Sequence, residues 1–222
     1  MTLFETMFTP SFNTDDLILL LSESKQASVS VEEKERIVAS GGHYSDVFVE
    51  EHAMSEALQK AYEYALKKNS GAKRLAYHIQ YLSHELVSRC RASDVPLVLI
   101  SLVRAGVPLG VLLARYIKKY YPELSVHHYG ISIIRGRGID NYALQSIHEK
   151  HPGGNYYFID GWTGKGSIST ELNDSLKMST LPFDYRLVVD SDPAGTASLS
   201  ATKEDWLIPF GLVGAQISGL FS

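Results

Sequence analysis

Between Asp160 and Ser167 the chain reads Asp-Gly-Trp-Thr-Gly-Lys-Gly-Ser. Gly161, Gly164 and Gly166 separate a carboxylate, an indole, two hydroxyls (Thr163, Ser167) and the Lys165 ammonium. Glycines let a backbone approach a ligand closely and turn its N–H groups inward. A helix starting just beyond adds partial positive charge, so the pattern suits an anion. That charge is worth roughly 0.3–1 kcal/mol when exposed and about 2 when partly buried. It positions a phosphate more than it holds one. Asp160 repels the same phosphate and suits sugar hydroxyls or a magnesium ion. The expected ligand is a sugar phosphate. Tight strand-to-helix turns also occur without any ligand. The P-loop pattern GxxxxGK[ST] fails, because Gly166 follows Lys165 where Ser or Thr is needed.

Other chemistry-bearing residues recur in comparable places. Arg104 stands in Val103-Arg104-Ala105-Gly106, after an apolar run. Arg135 and Arg137 alternate with Gly136 and Gly138, a mobile cationic segment or a solvated surface loop. Asp192 lies in the polar loop Ser191–Gly195. His43 sits in another polar loop, where histidine is usually solvated. The single cysteine, Cys90, falls on a helical apolar stripe, where cysteine is usually a small buried hydrophobe rather than a nucleophile.

The elements that must position these groups are readable from periodicity. Leu97–Leu102, Val126–Ile134, Tyr156–Ile159 and Tyr185–Val189 read as strands. Leu109, Leu112, Leu113, Tyr116 and Tyr120 mark one helix, and Ile168, Leu172 and Leu176 another, with Ser167 as its N-cap. Alternating strands and helices favour a mainly parallel twisted sheet flanked by helices. Ligands bind such sheets beyond the carboxyl ends of the strands, where Arg104, Arg135, Asp160 and Asp192 converge. Before Pro96 the chain is mostly helical. Ser30 and Glu33 make a capping box for a helix ending at Gly41. Met54–Ala65 forms a helix stopping at Gly71, and Leu75–Cys90 a second packed against it. Asp15–Leu21 is helix or strand, and Met1–Asn13 runs over the surface. The whole reads as one domain over 1–222, with a helical N-terminal elaboration (1–92) on an α/β core (93–222).

A chain of 222 residues can bury one substantial core. Its net charge of −4 argues against general nucleic-acid binding. The lone cysteine cannot form an internal disulfide, which fits a reducing cytosol. No basic leader segment opens the chain, and its longest apolar run is too short to span a bilayer. A cytoplasmic protein is expected, with an isologous homodimer as the default assembly.

FIDGWTGKGS resembles the ribose-5-phosphate signature of type I phosphoribosyltransferases, and SLVRAGVPLG their pyrophosphate loop. With HYGISIIRGRGID and EDWLIP, the set resembles the phosphoribosyltransferase-like proteins encoded with tellurite-resistance and stress genes, some labelled cysteine protease StiP. The resemblance implies a type I phosphoribosyltransferase-like fold and Mg2+-dependent phosphoribosyl transfer between PRPP and a nucleobase-like acceptor, or a PRPP- or nucleotide-binding sensor. It implies ribose and 5-phosphate binding by Asp160, Gly161, Thr163, Gly164, Lys165, Gly166 and Ser167. Pyrophosphate falls to Arg104, Ala105, Gly106, Arg135 and Arg137, with Arg135 and Arg137 in a flexible hood. Asp160, Arg104 and Arg135 become the catalytic groups, and Asp160 and Asp192 the metal ligands. Type I enzymes usually carry two adjacent acids at the strand end. Here Ile159 occupies the first position, so half of the hydroxyl clamp is missing.

Overall fold

Strict alternation in the apolar runs sends successive side chains to opposite faces of one sheet. The computed structural model describes residues 12–22, 28–49, 54–67, 70–90 and 95–214. The expected surface run at the N-terminus lies outside these residues up to position 11.

The main sheet contains β1 (Ile18–Leu19), β4 (Leu97–Val103), β5 (Val126–Ile134), β6 (Gly138–Ile139), β7 (Asn155–Trp162), β8 (Leu187–Ser191) and β9 (Leu199–Thr202). Its order is β1-β5-β4-β7-β8-β9, all parallel, with β6 pairing antiparallel to β5. A two-stranded parallel pair, β2 (Ser28–Val29) and β3 (Phe48–Val49), stands apart with helix α1 (Val31–Ala39). The segment Asp15–Leu21, readable as helix or strand, supplies the edge strand β1.

The two faces carry separate cores. Val98, Ile100, Phe158, Val189 and Ile131 pack on one face with Leu144 and Ile147 of α5 (Asn141–Lys150) and Leu172 of α6 (Ser167–Met178). Leu99, Tyr157, Ile159 and Val188 pack on the other with Leu82 and Leu86 of α3 (Gly71–Cys90) and Leu109 and Leu113 of α4 (Gly106–Tyr120). This is an α/β fold with a mainly parallel sheet flanked by helices. Parallel sheets need both faces covered, and the β-branched and leucine-rich runs of β4 and β8 are buried throughout.

Several elements depart from the periodic reading. Gly71 opens α3 instead of closing α2 (Glu56–Lys67). A Cβ at Gly71 would stand 2.2 Å from the Ala65 carbonyl oxygen, so glycine permits the close approach of the two helices. Helix α5 and strand β9 escape the sequence reading altogether. Asp140 caps α5 by accepting from the Ala143 N–H at 3.0 Å, a signal present in the sequence. Strand β7 runs through Gly161 to Trp162, so Asp160 lies within the strand and not at its end. The N-cap of α6 is Gly166, left-handed at φ 85°, and Ser167 is the first helical residue.

Candidate functional site

The chain leaves β4 for β5 on one side and returns to β7 on the other. That reversal opens a crevice at the carboxyl ends of β4 and β7, where open α/β sheets take ligands. Helix α4 leaves β4 toward one face and α6 leaves β7 toward the other, so both begin beside the crevice. The two strand ends touch through glycine. A Cβ at Gly106 would lie 2.0 Å from the Ile159 carbonyl oxygen, and one at Gly161 would lie 3.1 Å from the Ala105 carbonyl oxygen. Arg104, half-buried, enters this junction after a cis peptide bond with Val103. Sequence reasoning placed the Arg104 and Asp160 segments together, and the backbone joins them directly.

Asp160 shares the α6 face with Phe158, two residues earlier. It is 7% exposed. One carboxylate oxygen accepts the Gly161 N–H at 2.7 Å. The other has no hydrogen-bond partner among the described residues and is not sealed from solvent. Burial pushes the Asp160 carboxyl up to about 7, and the Gly161 N–H offsets this only in part.

The turn after β7 closes on itself through the Gly166 N–H, which donates to the Thr163 carbonyl at 2.7 Å. The Thr163 hydroxyl accepts the Ala194 N–H at 3.2 Å, tying the turn to the loop after β8. Thr163 is therefore a strut, and its side chain is 9% exposed. Ser169 reinforces the same junction by donating to the Gly166 carbonyl (2.8 Å) and meeting the Thr196 hydroxyl (2.8 Å). Helix α6 starts with no side-chain cap. The N–H groups of Gly164, Lys165, Ser167 and Ile168 have no recorded partner among the described residues, and Lys165 and Ser167 are exposed.

The remaining expected residues divide. Asp192 is 3% exposed and accepts the N–H groups of Thr196 (3.0 Å) and Ala197 (3.2 Å), one on each oxygen. Its carboxylate shapes the β8–β9 loop. Arg135 and Arg137 lie at the tip of the β5–β6 hairpin. The Arg135 N–H donates to the Tyr44 hydroxyl at 3.2 Å and its guanidinium lies 5.5 Å from the Tyr44 ring centre. Arg137 pairs with Asp46, and the Gly136 N–H donates to Glu171 of α6 at 2.7 Å. The expected mobile segment is a hairpin tip held on two sides. His43, expected as a solvated group, belongs to this support. Its ring meets the Ser45 hydroxyl at 2.7 Å and its N–H donates to Asp46 at 3.1 Å.

One arrangement escaped sequence reasoning. Glu204, Asp205 and Trp206 are consecutive, and each reaches a different element. Glu204 pairs with Arg74 of α3 at 2.7 Å. Asp205 accepts the Trp162 indole N–H at 3.0 Å. Trp206 donates to the buried Asp190 at 2.8 Å, whose other oxygen meets His78 of α3 at 3.0 Å. The motif EDW was visible in the sequence, but its partners lie on distant elements.

Cys90 is 2% exposed in the core between the sheet and α3 and α4. Burial pushes its thiol up, which disfavours the thiolate. No group of three or more His, Cys, Asp or Glu side chains among the described residues could hold a metal ion. No described helix is long and apolar enough to cross a membrane.

Residues 10–222 match the family described as "Tellurite-like stress resistance cysteine protease StiP". Over 218 residues the chain is 43% identical to a protein of Acinetobacter baylyi named "Cysteine protease StiP", covering 97% of this chain and 55% of that relative. The chain thus spans about half the length of the curated relative it matches. These names overturn the expected phosphoribosyl transfer. Family and relative are named for a protease, a hydrolase, and not for a glycosyltransferase acting on PRPP. The tellurite and stress association of the resemblance agrees with them.

Proposed function

This chain belongs to the StiP family, and from that premise we propose that it binds a phosphate ester of a sugar, with Mg2+, in the crevice between β4 and β7. The observation carrying this reading is the uncapped start of α6 beside the buried Asp160. Helix starts leave N–H groups that need partners, and a phosphate group satisfies several at once. Lys165 adds an exposed positive charge. The open oxygen of Asp160 suits a sugar hydroxyl or a magnesium ion shared with the ligand. Mg2+ typically uses one or two carboxylates plus phosphate oxygens, so a single protein carboxylate fits. Asp192 fits less well, because metal binding would compete with the two amides that its oxygens accept.

The test is direct. Calorimetric titration with ribose 5-phosphate and MgCl2 is expected to show saturable binding. Ser167→Glu places a carboxylate at the exposed helix start, where it stabilises α6 by roughly 0.3–1 kcal/mol while repelling the phosphate. A variant that melts higher yet no longer binds supports the site. Undiminished binding in Ser167→Glu, or none in the parent chain, rejects it.

The relative's name supports a second reading, cysteine-dependent peptide hydrolysis. In this chain that chemistry would have to use Cys90, its one cysteine. A thiol at 2% exposure cannot meet a peptide carbonyl without moving α3 or α4. Casein hydrolysis that disappears in Cys90→Ala would establish this reading. Hydrolysis absent from the parent chain rejects this reading for Cys90.

A further inference from the structure

We infer that the indole of Trp162 is a stacking platform beside the phosphate cradle, and that the ligand is a phosphate ester carrying a nitrogen heteroaromatic ring. The inference rests on the proposed phosphate site and names the ligand's other half. Among the residues of β7, Trp162 is the exposed one, at 49%. An exposed indole is ordinarily a loose rotor, but this one is fixed twice. Its N–H donates to Asp205 at 3.0 Å. Its six-membered ring lies against Gly164, where an added Cβ would come within 3.0–3.3 Å of three ring carbons. Gly164, at φ 54°, thus serves both the turn and the ring.

Asp205 is held in turn by its neighbours. Glu204 pairs with Arg74 and Trp206 donates to Asp190, so the segment is anchored on both sides of the residue that orients Trp162. A pre-positioned aromatic surface loses little freedom when a ligand settles on it. The other candidate rings serve the fold. Trp206 is enclosed by Arg74 (4.5 Å) and His78 (5.4 Å), and Tyr129 is 2% exposed.

Two features point to a ligand at this position. Trp162 packs on the turn in which the N–H groups of Gly164 and Lys165 have no partner among the described residues. Two residues before it on the same strand, Asp160 is more than nine-tenths buried, with one oxygen unpartnered among the described residues and not sealed from solvent. An indole face stacks on flat aromatic rings in offset geometry, and a base offers such a ring whatever its identity, because every base has a π-face.

AMP and ribose 5-phosphate share the phosphate and ribose and differ by the ring. Both are titrated into the chain in MgCl2, with inorganic phosphate as the minimal probe. AMP is expected to bind roughly tenfold tighter than ribose 5-phosphate and to quench tryptophan emission, as base–aromatic stacking does. Trp162→Ala brings the ratio of AMP to ribose 5-phosphate affinity down to about one, whereas Trp162→Phe keeps most of that ratio. The emission signal of the parent chain provides a readout that does not depend on either variant folding. Ribose 5-phosphate binding without any AMP advantage, or an advantage that survives Trp162→Ala, overturns the platform and leaves the phosphate site intact. Failure of all three probes overturns the phosphate site and the platform with it.

Discussion

Asp160 is the buried carboxylate at the junction of β4 and β7. Its folded-state pKa, raised from 3.8 to about 7, means that the folded chain binds a proton there more readily than the unfolded chain. The stability due to that proton is fully present below pH 3.8 and is lost as pH rises through about 7. At about 1.4 kcal/mol per unit, the ionised carboxylate is a burden on the order of a few kcal/mol above neutrality. Asp160→Asn is therefore expected to raise the urea midpoint at pH 8 and to leave it near the parent value at pH 4. An equal shift at both values would remove burial of the charged form as the cause. Cys90 gives the opposite lesson at this scale. Its stripe position indicated burial from the sequence, and the structure places it in the core.

At the scale of elements, the crevice depends on how closely two strand ends meet. Gly106 opens α4 with its Cα against the backbone of β7, where an added Cβ would stand 2.0 Å from the Ile159 carbonyl oxygen. That neighbour is backbone inside a paired strand and cannot rotate away. Gly106→Ala should destabilise the chain by roughly 1–3 kcal/mol and weaken ribose 5-phosphate binding in the surviving folded fraction. Chemical denaturation and calorimetry check both outcomes, and an unchanged midpoint would contradict the contact. The periodic apolar runs made β4, β5, β7, α4 and α6 legible because each buries one stripe or face against the same sheet. The Asp140 cap of α5 is a local signal, but the adjoining Arg-Gly-Arg-Gly segment has the composition of a loop and masks it. Sequence cannot distinguish a glycine that ends a helix from one, like Gly71, that admits a neighbour.

For the molecule as a whole, buried histidines set the response to acid. His128 is 4% exposed and bonded to the Ser101 hydroxyl (2.7 Å) and the Asp16 carbonyl (2.8 Å). Burial lowers it to about 4. Burial, with the nearby His127 and Lys150, lowers His151 to about 4 as well. Both are kept neutral when folded, so their contribution is present above about pH 6.5 and lost as pH falls through 4. Asp160 acts in the opposite direction over the same range. Burial lowers His127 as well, so the histidines together outweigh the single acid near pH 5. Unfolding free energy should fall accordingly from pH 6.5 to 4.5, and a flat or rising profile would refute this balance.

The sequence by itself determined the layers of this protein, because burial periodicity and turn glycines act over a few residues. It also located the glycine-rich turn after β7, because strand, glycines and helix start are contiguous between Tyr156 and Leu176. Only the tertiary structure decided which groups share a neighbourhood. Asp205 meets Trp162 across 43 residues of chain and His78 meets Asp190 across 112. The hairpin of Arg135 and Arg137 is likewise supported by Tyr44 and Asp46, 91 residues away. No local pattern records such pairs. They exist because strand order brings distant segments to one edge of the sheet, where buried or half-buried polar groups must find partners or remain unpaired.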